Sequence, residues 1–123
     1  MQDFTKLKVW QKAHRLAIDL KREIDKGPRW NFPGLRGKTL RGAGSIADTI
    51  AEGCGKKSPL ELARYADMSA ASANETLGQL LRARDQGFLS HRKYEEFEGR
   101  IDEIRRMLWS LAGEVRRQHG GDR

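Results

Sequence analysis

The sequence predicts an all-α chain folded as an up-and-down four-helix bundle. Apolar residues recur at alternating steps of three and four in four successive stretches, and glycine or proline signals separate those stretches. No stretch alternates polar and apolar residues with period two, so no strand is expected. Four amphipathic helices joined by short connections bury their stripes most simply by packing as antiparallel neighbours. The 123 residues suit one domain, 1–123.

Helix one is expected over 5–26, with Trp10, Ala13, Ala17, Leu20 and Ile24 inward and Gly27-Pro28 closing it. Residues 27–34 hold two glycines and two prolines around Trp30 and Phe32, a connection whose aromatics fold back onto the bundle. Helix two is expected over 35–52. It turns Leu40, Ala43, Ile46, Ala47 and Ile50 inward and ends at Gly53. Its interior Gly42 and Gly44 each cost about 1 kcal/mol against Ala, a loss that a closely packed neighbouring helix would offset. Helix three, 59–86, carries a stripe of mostly small residues: Leu62, Ala66, Ser69, Ala73, Thr76, Leu80 and Ala83, widened by Tyr65 and Leu77. Ser58 as cap, Pro59 at the first position and Glu61 completing a capping box mark its start, and Gly87 its stop. Helix four, 91–118, has the clearest heptad seam: Tyr94, Phe97, Ile101, Ile104, Leu108, Leu111 and Val115, between a Ser90 cap and Gly120-Gly121.

With 24 Lys and Arg against 17 Asp and Glu the net charge is +7, and the pI is near 9.9. Residues 1–57 hold 13 basic and 6 acidic side chains and residues 58–123 hold 11 of each, so the whole excess lies in the first half. A one-sided cationic surface attracts polyanions, because neutralising phosphates releases condensed counterions. Lys8, Arg15 and Arg22 are seven residues apart on the line of helix one opposite its seam, with Lys12 beside them. Arg36, Lys38 and Arg41 open helix two, and Lys56-Lys57 follow it. Together they predict a continuous cationic face that contacts RNA or DNA through phosphates. No exposed aromatics interleave with these bases in sequence, so stacked single-strand recognition is not expected.

Catalytic motifs are wanting. Gly34-Leu35-Arg36-Gly37-Lys38-Thr39 imitates a phosphate-binding loop, but Phe32 stands where its first glycine belongs and no strand precedes it. Gly55-Lys56-Lys57-Ser58 fails in the same way at Ile50. His14, His91 and His119 have no second ligand at metal spacing. The lone Cys54, placed just past helix two, excludes an intramolecular disulfide and fits a reducing compartment. Glu52 is read as a structural acid in a hydrogen bond or ion pair near a helix end. No cofactor, metal or catalytic residue is therefore expected, and the chain reads as a non-enzyme. Mean hydropathy of −0.76, the absence of a long apolar run and the absence of a leader predict a cytoplasmic protein with no membrane partner. Trp109 and Ile18 fall off their seams, as apolar groups do at an oligomer interface.

Phe4, Leu7, Val9-Trp10-Gln11, Ala13, Gly34-Leu35, Arg41, Ser45-Ile46, Ile50-Ala51-Glu52-Gly53, Gly55-Lys56-Lys57-Ser58, Ala71-Ser72, Glu75 and Gly87 resemble the four-helix bundle proteins first noted in bacterial 23S rRNA intervening sequences. That family includes relatives of the accessory variability determinant protein of diversity-generating retroelements. The resemblance implies a homopentameric barrel with a basic surface that binds nucleic acid without catalysis, with a reverse transcriptase as partner in the retroelement branch. Thr49, Gly42, Gly44 and the Trp30–Phe32 connection depart from its pattern. The expectation is thus an oligomeric nucleic-acid-binding accessory protein; the alternative is an oligomeric scaffold whose basic face meets an acidic protein.

Overall fold

The computed structural model describes residues 2–120; Met1 and residues 121–123, which include Gly121 and the two ends of the expected domain, lie outside the described residues. A 3-10 turn over Phe4–Lys6 leads into α1 (Lys8–Lys26), α2 (Leu35–Cys54), α3 (Pro59–Asp85) and α4 (His91–His119). No strand occurs among the described residues. Each helix packs on two others: α1 and α3 lie on one diagonal, α2 and α4 on the other. Neighbours run antiparallel. Asp25 at the end of α1 meets Arg36 at the start of α2 at 2.7 Å, and Asn74 of α3 meets Arg105 of α4 at 2.7 Å.

The seam expected on α1 is displaced by one position at two of its five sites. Val9 and Leu16 are buried, whereas Trp10 and Ala17 lie at the stripe's edge and are half-buried. Trp10 instead leans on Phe4, edge to face at 5.0 Å, and stacks on His14 at 4.7 Å. Likewise Ala112 takes the core position assigned to Leu111 on α4. Both the expected and the observed stripes keep steps of three and four, and the facing helices decide which of two adjacent apolar residues turns inward. The start of helix one also differs. Leu7 is extended (φ −77°, ψ 125°), so α1 begins at Lys8, and Asp3 caps the preceding turn through the Thr5 N–H at 3.0 Å.

Small residues bring α2 and α3 together. A Cβ on Gly42 would lie 2.8 Å from Thr76 Oγ1, and one on Gly53 would lie 2.6 Å from Tyr65 Cβ. Between these points Ser69 donates to the backbone oxygen of Ile46 at 2.8 Å, which satisfies a buried hydroxyl across the interface. Gly53 is therefore not a helix stop: α2 continues to Cys54, and glycine is needed there for contact. Gly44 has open space around its Cα, so nothing within the chain offsets its cost.

The helix ends are closed by different chemistry. Ser90 accepts from the Lys93 N–H at 3.1 Å, as its position predicts. The capping box at α3 does not form, because Glu61 turns to Arg64 at 3.0 Å and the Ser58 hydroxyl makes no cap bond. After α3, Gly87 at φ 83° lets the N–H of Phe88 reach the oxygen of Ala83 at 2.9 Å and its own N–H reach that of Arg84 at 3.0 Å. This six-to-one and five-to-two pair uses the left-handed conformation that glycine adopts without strain.

Gly53→Ala is expected to lower unfolding stability by about 1–3 kcal/mol through overpacking, while Gly44→Ala raises it by up to about 1 kcal/mol. Urea denaturation followed by circular dichroism measures both. A neutral Gly53→Ala would show that α2 and α3 are not held at this distance.

Candidate nucleic-acid interface

Short connections place the ends of all four helices in two groups. The Trp30 ring stacks on Phe88 at 5.9 Å, so the α1–α2 and α3–α4 connections meet at one end of the bundle. Lys93 reaching Glu23 at 3.4 Å ties α4 to α1 there. At the other end the Gln2 N–H donates to the backbone oxygen of Cys54 at 3.0 Å, which brings Gln2 to the α2–α3 connection.

This arrangement divides the expected cationic face. Lys8, Lys12, Arg15, Arg22, Arg36, Lys38, Arg41 and Lys57 are exposed and Lys56 is half-buried. The middle of α1 is locally neutralised: Lys12 pairs with Glu103 at 3.3 Å, and Arg15 lies 3.9 Å from Asp19, which Arg100 approaches more closely at 3.0 Å. Arg36 is held by Asp25, whose carboxylate also takes a 2.6 Å bond from Lys21. The hydrogen bond from Lys21, then that from Arg36, holds the Asp25 carboxyl below its usual range. Its contribution to stability is accordingly present above the ordinary aspartate pKa and lost as pH falls through the lowered one.

The remaining cations form two clusters. Lys8, Lys56 and Lys57 belong to the Gln2–Cys54 end. Arg22, Lys38 and Arg41 belong to the Trp30–Phe88 end, about 25 Å away along α2. None of the six has an acidic partner among the described residues. The face is therefore not continuous, because α2 is long and the stretch of α1 between the clusters carries its own acids.

The Trp30–Phe88 end gains cations that the reading from sequence did not join to it. Arg29 comes from the connection, Arg82 from the last turn of α3 and Arg92 from the first turn of α4. All are exposed, with no acidic partner among the described residues. The up-and-down topology held the signal, since it returns the end of α3 and the start of α4 to the start of α2. Arg82 also lies over the half-buried Phe32, with its guanidinium carbon 5.9 Å from the ring centre. Beside them a pocket of about 230 Å³ opens between α2 and α3, lined by Lys38, Glu75, Gly78, Gln79 and Arg82.

Thr39 of the false phosphate loop is buried and donates to the Leu35 oxygen at 2.7 Å, so its hydroxyl is used within α2. Glu52 was expected in a hydrogen bond or ion pair, but it is exposed and its carboxylate makes neither among the described residues. Cys54 is the last residue of α2, not a residue beyond it, and it is buried. No cluster of three potential metal ligands is found among the described residues, and no described helix is long and apolar enough to cross a membrane. Trp109 is 55 % exposed, and Leu60, Met68 and Leu81 on the neighbouring α3 are exposed as well. Ile18 is half-buried.

Burial pushes the Cys54 thiol above its ordinary pKa, since desolvation penalises the thiolate. A disulfide reagent at neutral pH is expected to modify Cys54 more slowly than free cysteine, with the rate rising as pH is raised and again when the protein is unfolded. Reaction as fast as free cysteine in the native state would contradict this burial.

No curated protein matches the sequence. The profile described as 23S rRNA-intervening sequence protein matches residues 5–110, a span that contains α1, α2, α3 and most of α4. With most of its length matched and four helices in the arrangement described, the chain belongs to the family of 23S rRNA-intervening sequence proteins.

Proposed function

We propose that this protein is a non-catalytic, nucleic-acid-binding accessory protein that contacts RNA or DNA backbones. The observation that carries this reading is the gathering of Arg22, Arg29, Lys38, Arg41, Arg82 and Arg92 at one end of the bundle with no acidic partners among the described residues. Cations held in ion pairs gain little from a phosphate, because they must first give up an existing partner. Unpaired ones release the counterions of the polyanion at no such cost. Phosphate contact of this kind positions a protein on a strand without reading sequence.

Assembly multiplies the effect, because several copies present the same end to one strand. The exposed Trp109 and the resemblance described above support a homo-oligomer, read here as the homopentameric barrel. By the same resemblance, a reverse transcriptase is the partner proposed for a retroelement setting, and the cytoplasm is the proposed location. Sedimentation equilibrium of Trp109→Ala is expected to show weakened association with helix content retained. A loss of helix content instead would make Trp109 a folding residue.

Replacing Arg22, Lys38 and Arg41 together by Gln is expected to weaken binding at low salt. The slope of log affinity against log salt becomes shallower by roughly 0.7 to 0.9 for each phosphate that the variant no longer neutralises. Arg116→Gln, which removes a cation already held by Asp67 at 2.5 Å, leaves the slope unchanged. Fluorescence anisotropy with a labelled oligonucleotide across a salt series is the measurement. An unchanged slope in the triple variant would move the contact elsewhere. No binding by the unmodified protein at low salt would favour the scaffold that meets an acidic protein.

A further inference from the structure

Phe32 occupies an unusual position for a large apolar side chain. It sits in the short connection between two anchors, Trp30 at 7 % exposed and Leu35 at 2 %, yet is itself only half-buried. The Leu35 N–H donates to the Phe32 oxygen at 3.2 Å and Gly34 takes φ 77°, so the turn that presents the ring is tightly defined. One face of the ring is overlain by the exposed Arg82, which has no acidic partner among the described residues and lies at the outer edge of cation–π range, about 6 Å. Such a cover is displaced at little cost.

The neighbouring groove has the complementary chemistry. Lys38 and Arg82 supply positive charge at its edges. Between them lie Glu75, which has no cationic partner among the described residues, and Gln79, whose buried Oε1 faces Gly42 and has no hydrogen-bond partner. Gly78 leaves the wall open, with nothing within 4 Å of where a Cβ would stand. A carboxylate in the groove repels a phosphate but accepts from the amino group of a base. Phosphate therefore belongs to the cationic edge formed by Lys38 and Arg82, and the Glu75 carboxylate is left to meet a donor on a base edge.

We propose that the Phe32–Arg82 face and the adjoining α2–α3 groove form a subsite for single-stranded nucleic acid, in which an unpaired base stacks on the Phe32 ring while its phosphate lies on Lys38 and Arg82. A duplex keeps its base faces stacked internally and does not present them to a side chain, so the subsite selects single strands. This inference rests on the nucleic-acid reading above and adds to it the class of strand and the residue that selects it. It also supplies the aromatic element that the sequence did not show, because Phe32 and Arg82 are brought together only by the packing of α2 against α3.

The test is anisotropy of a labelled 12-nucleotide single strand and of the same strand in a duplex, with the unmodified protein, Phe32→Leu and Phe32→Tyr. Phe32→Leu keeps apolar packing on the core and removes the ring. It is expected to weaken single-strand binding by about tenfold, the loss of one base–aromatic stack, with the salt slope and duplex affinity unchanged. Phe32→Tyr restores single-strand affinity. Equal single-strand affinity in Phe32→Leu and the unmodified protein, in the presence of a normal salt slope, overturns the stacking subsite and leaves phosphate binding intact. Failure of the unmodified protein to bind either strand overturns both.

Discussion

The close approach of α2 and α3 is the constraint on which the rest of this structure depends. It is enforced at three levels along the interface, by Gly42 against Thr76, Ser69 against the Ile46 carbonyl and Gly53 against Tyr65. Glycines inside a helix lower its intrinsic stability, and here two of them let the α2 backbone lie against Thr76 and Tyr65 of α3, with which a Cβ would collide. The buried residues of α3 are mostly small, Ala63, Ala66, Ser69, Ala70, Ala73, Thr76 and Ala83. The larger Leu16, Leu20, Ile46, Ile50, Leu80, Ile101, Ile104 and Leu108 supply the bulk of the fully buried core. Each such side chain contributes about 1.5–3 kcal/mol on burial, so the small-residue interface sets geometry while the large residues supply cohesion.

From that geometry the charge distribution follows. Holding α2 against α3 fixes Lys38 beside Arg82, and the Gly87 turn then sends α4 back with Arg92 near the same end. Ion pairs neutralise the flank of the bundle where α1 meets α4, through Lys12–Glu103 and Arg100–Asp19, while the Trp30–Phe88 end keeps its unpaired arginines. Surface pairs of this kind add little stability individually. Their consequence lies in where they leave positive charge uncompensated, which is a matter of partner choice more than of fold.

Helix number, order and type were legible in the sequence because apolar spacing and breakers agreed between successive helices. Gly27-Pro28 and Gly87 end their helices where expected, and Ser90 caps as its spacing predicts. The errors came where one residue had two physical uses. Gly53 looks like a helix terminator and is a contact residue; Ser58 and Glu61 look like a capping box, but Arg64 one turn later competes for the carboxylate. On α1 a heptad template picked Trp10 and Ala17 over Val9 and Leu16, since both sets satisfy steps of three and four and only the neighbours decide. The basic residues of the first half were visible as charges, but their division into two ends was not. Which cations find acids depends on Glu103 and Arg100, far along the chain, and Arg82 reaches Phe32 only through the tertiary fold.

The most direct test of a strand-binding end is to locate the strand itself. A photoreactive single-stranded oligonucleotide, cross-linked to the protein at low salt and mapped by mass spectrometry, is expected to leave adducts within residues 27–41 and 78–92, with Phe32 and the segment around Arg82 foremost. Adducts concentrated at Lys8, Lys56 and Lys57 instead, or spread evenly over the helices, would contradict the assignment of nucleic-acid contact to the Trp30–Phe88 end of the bundle.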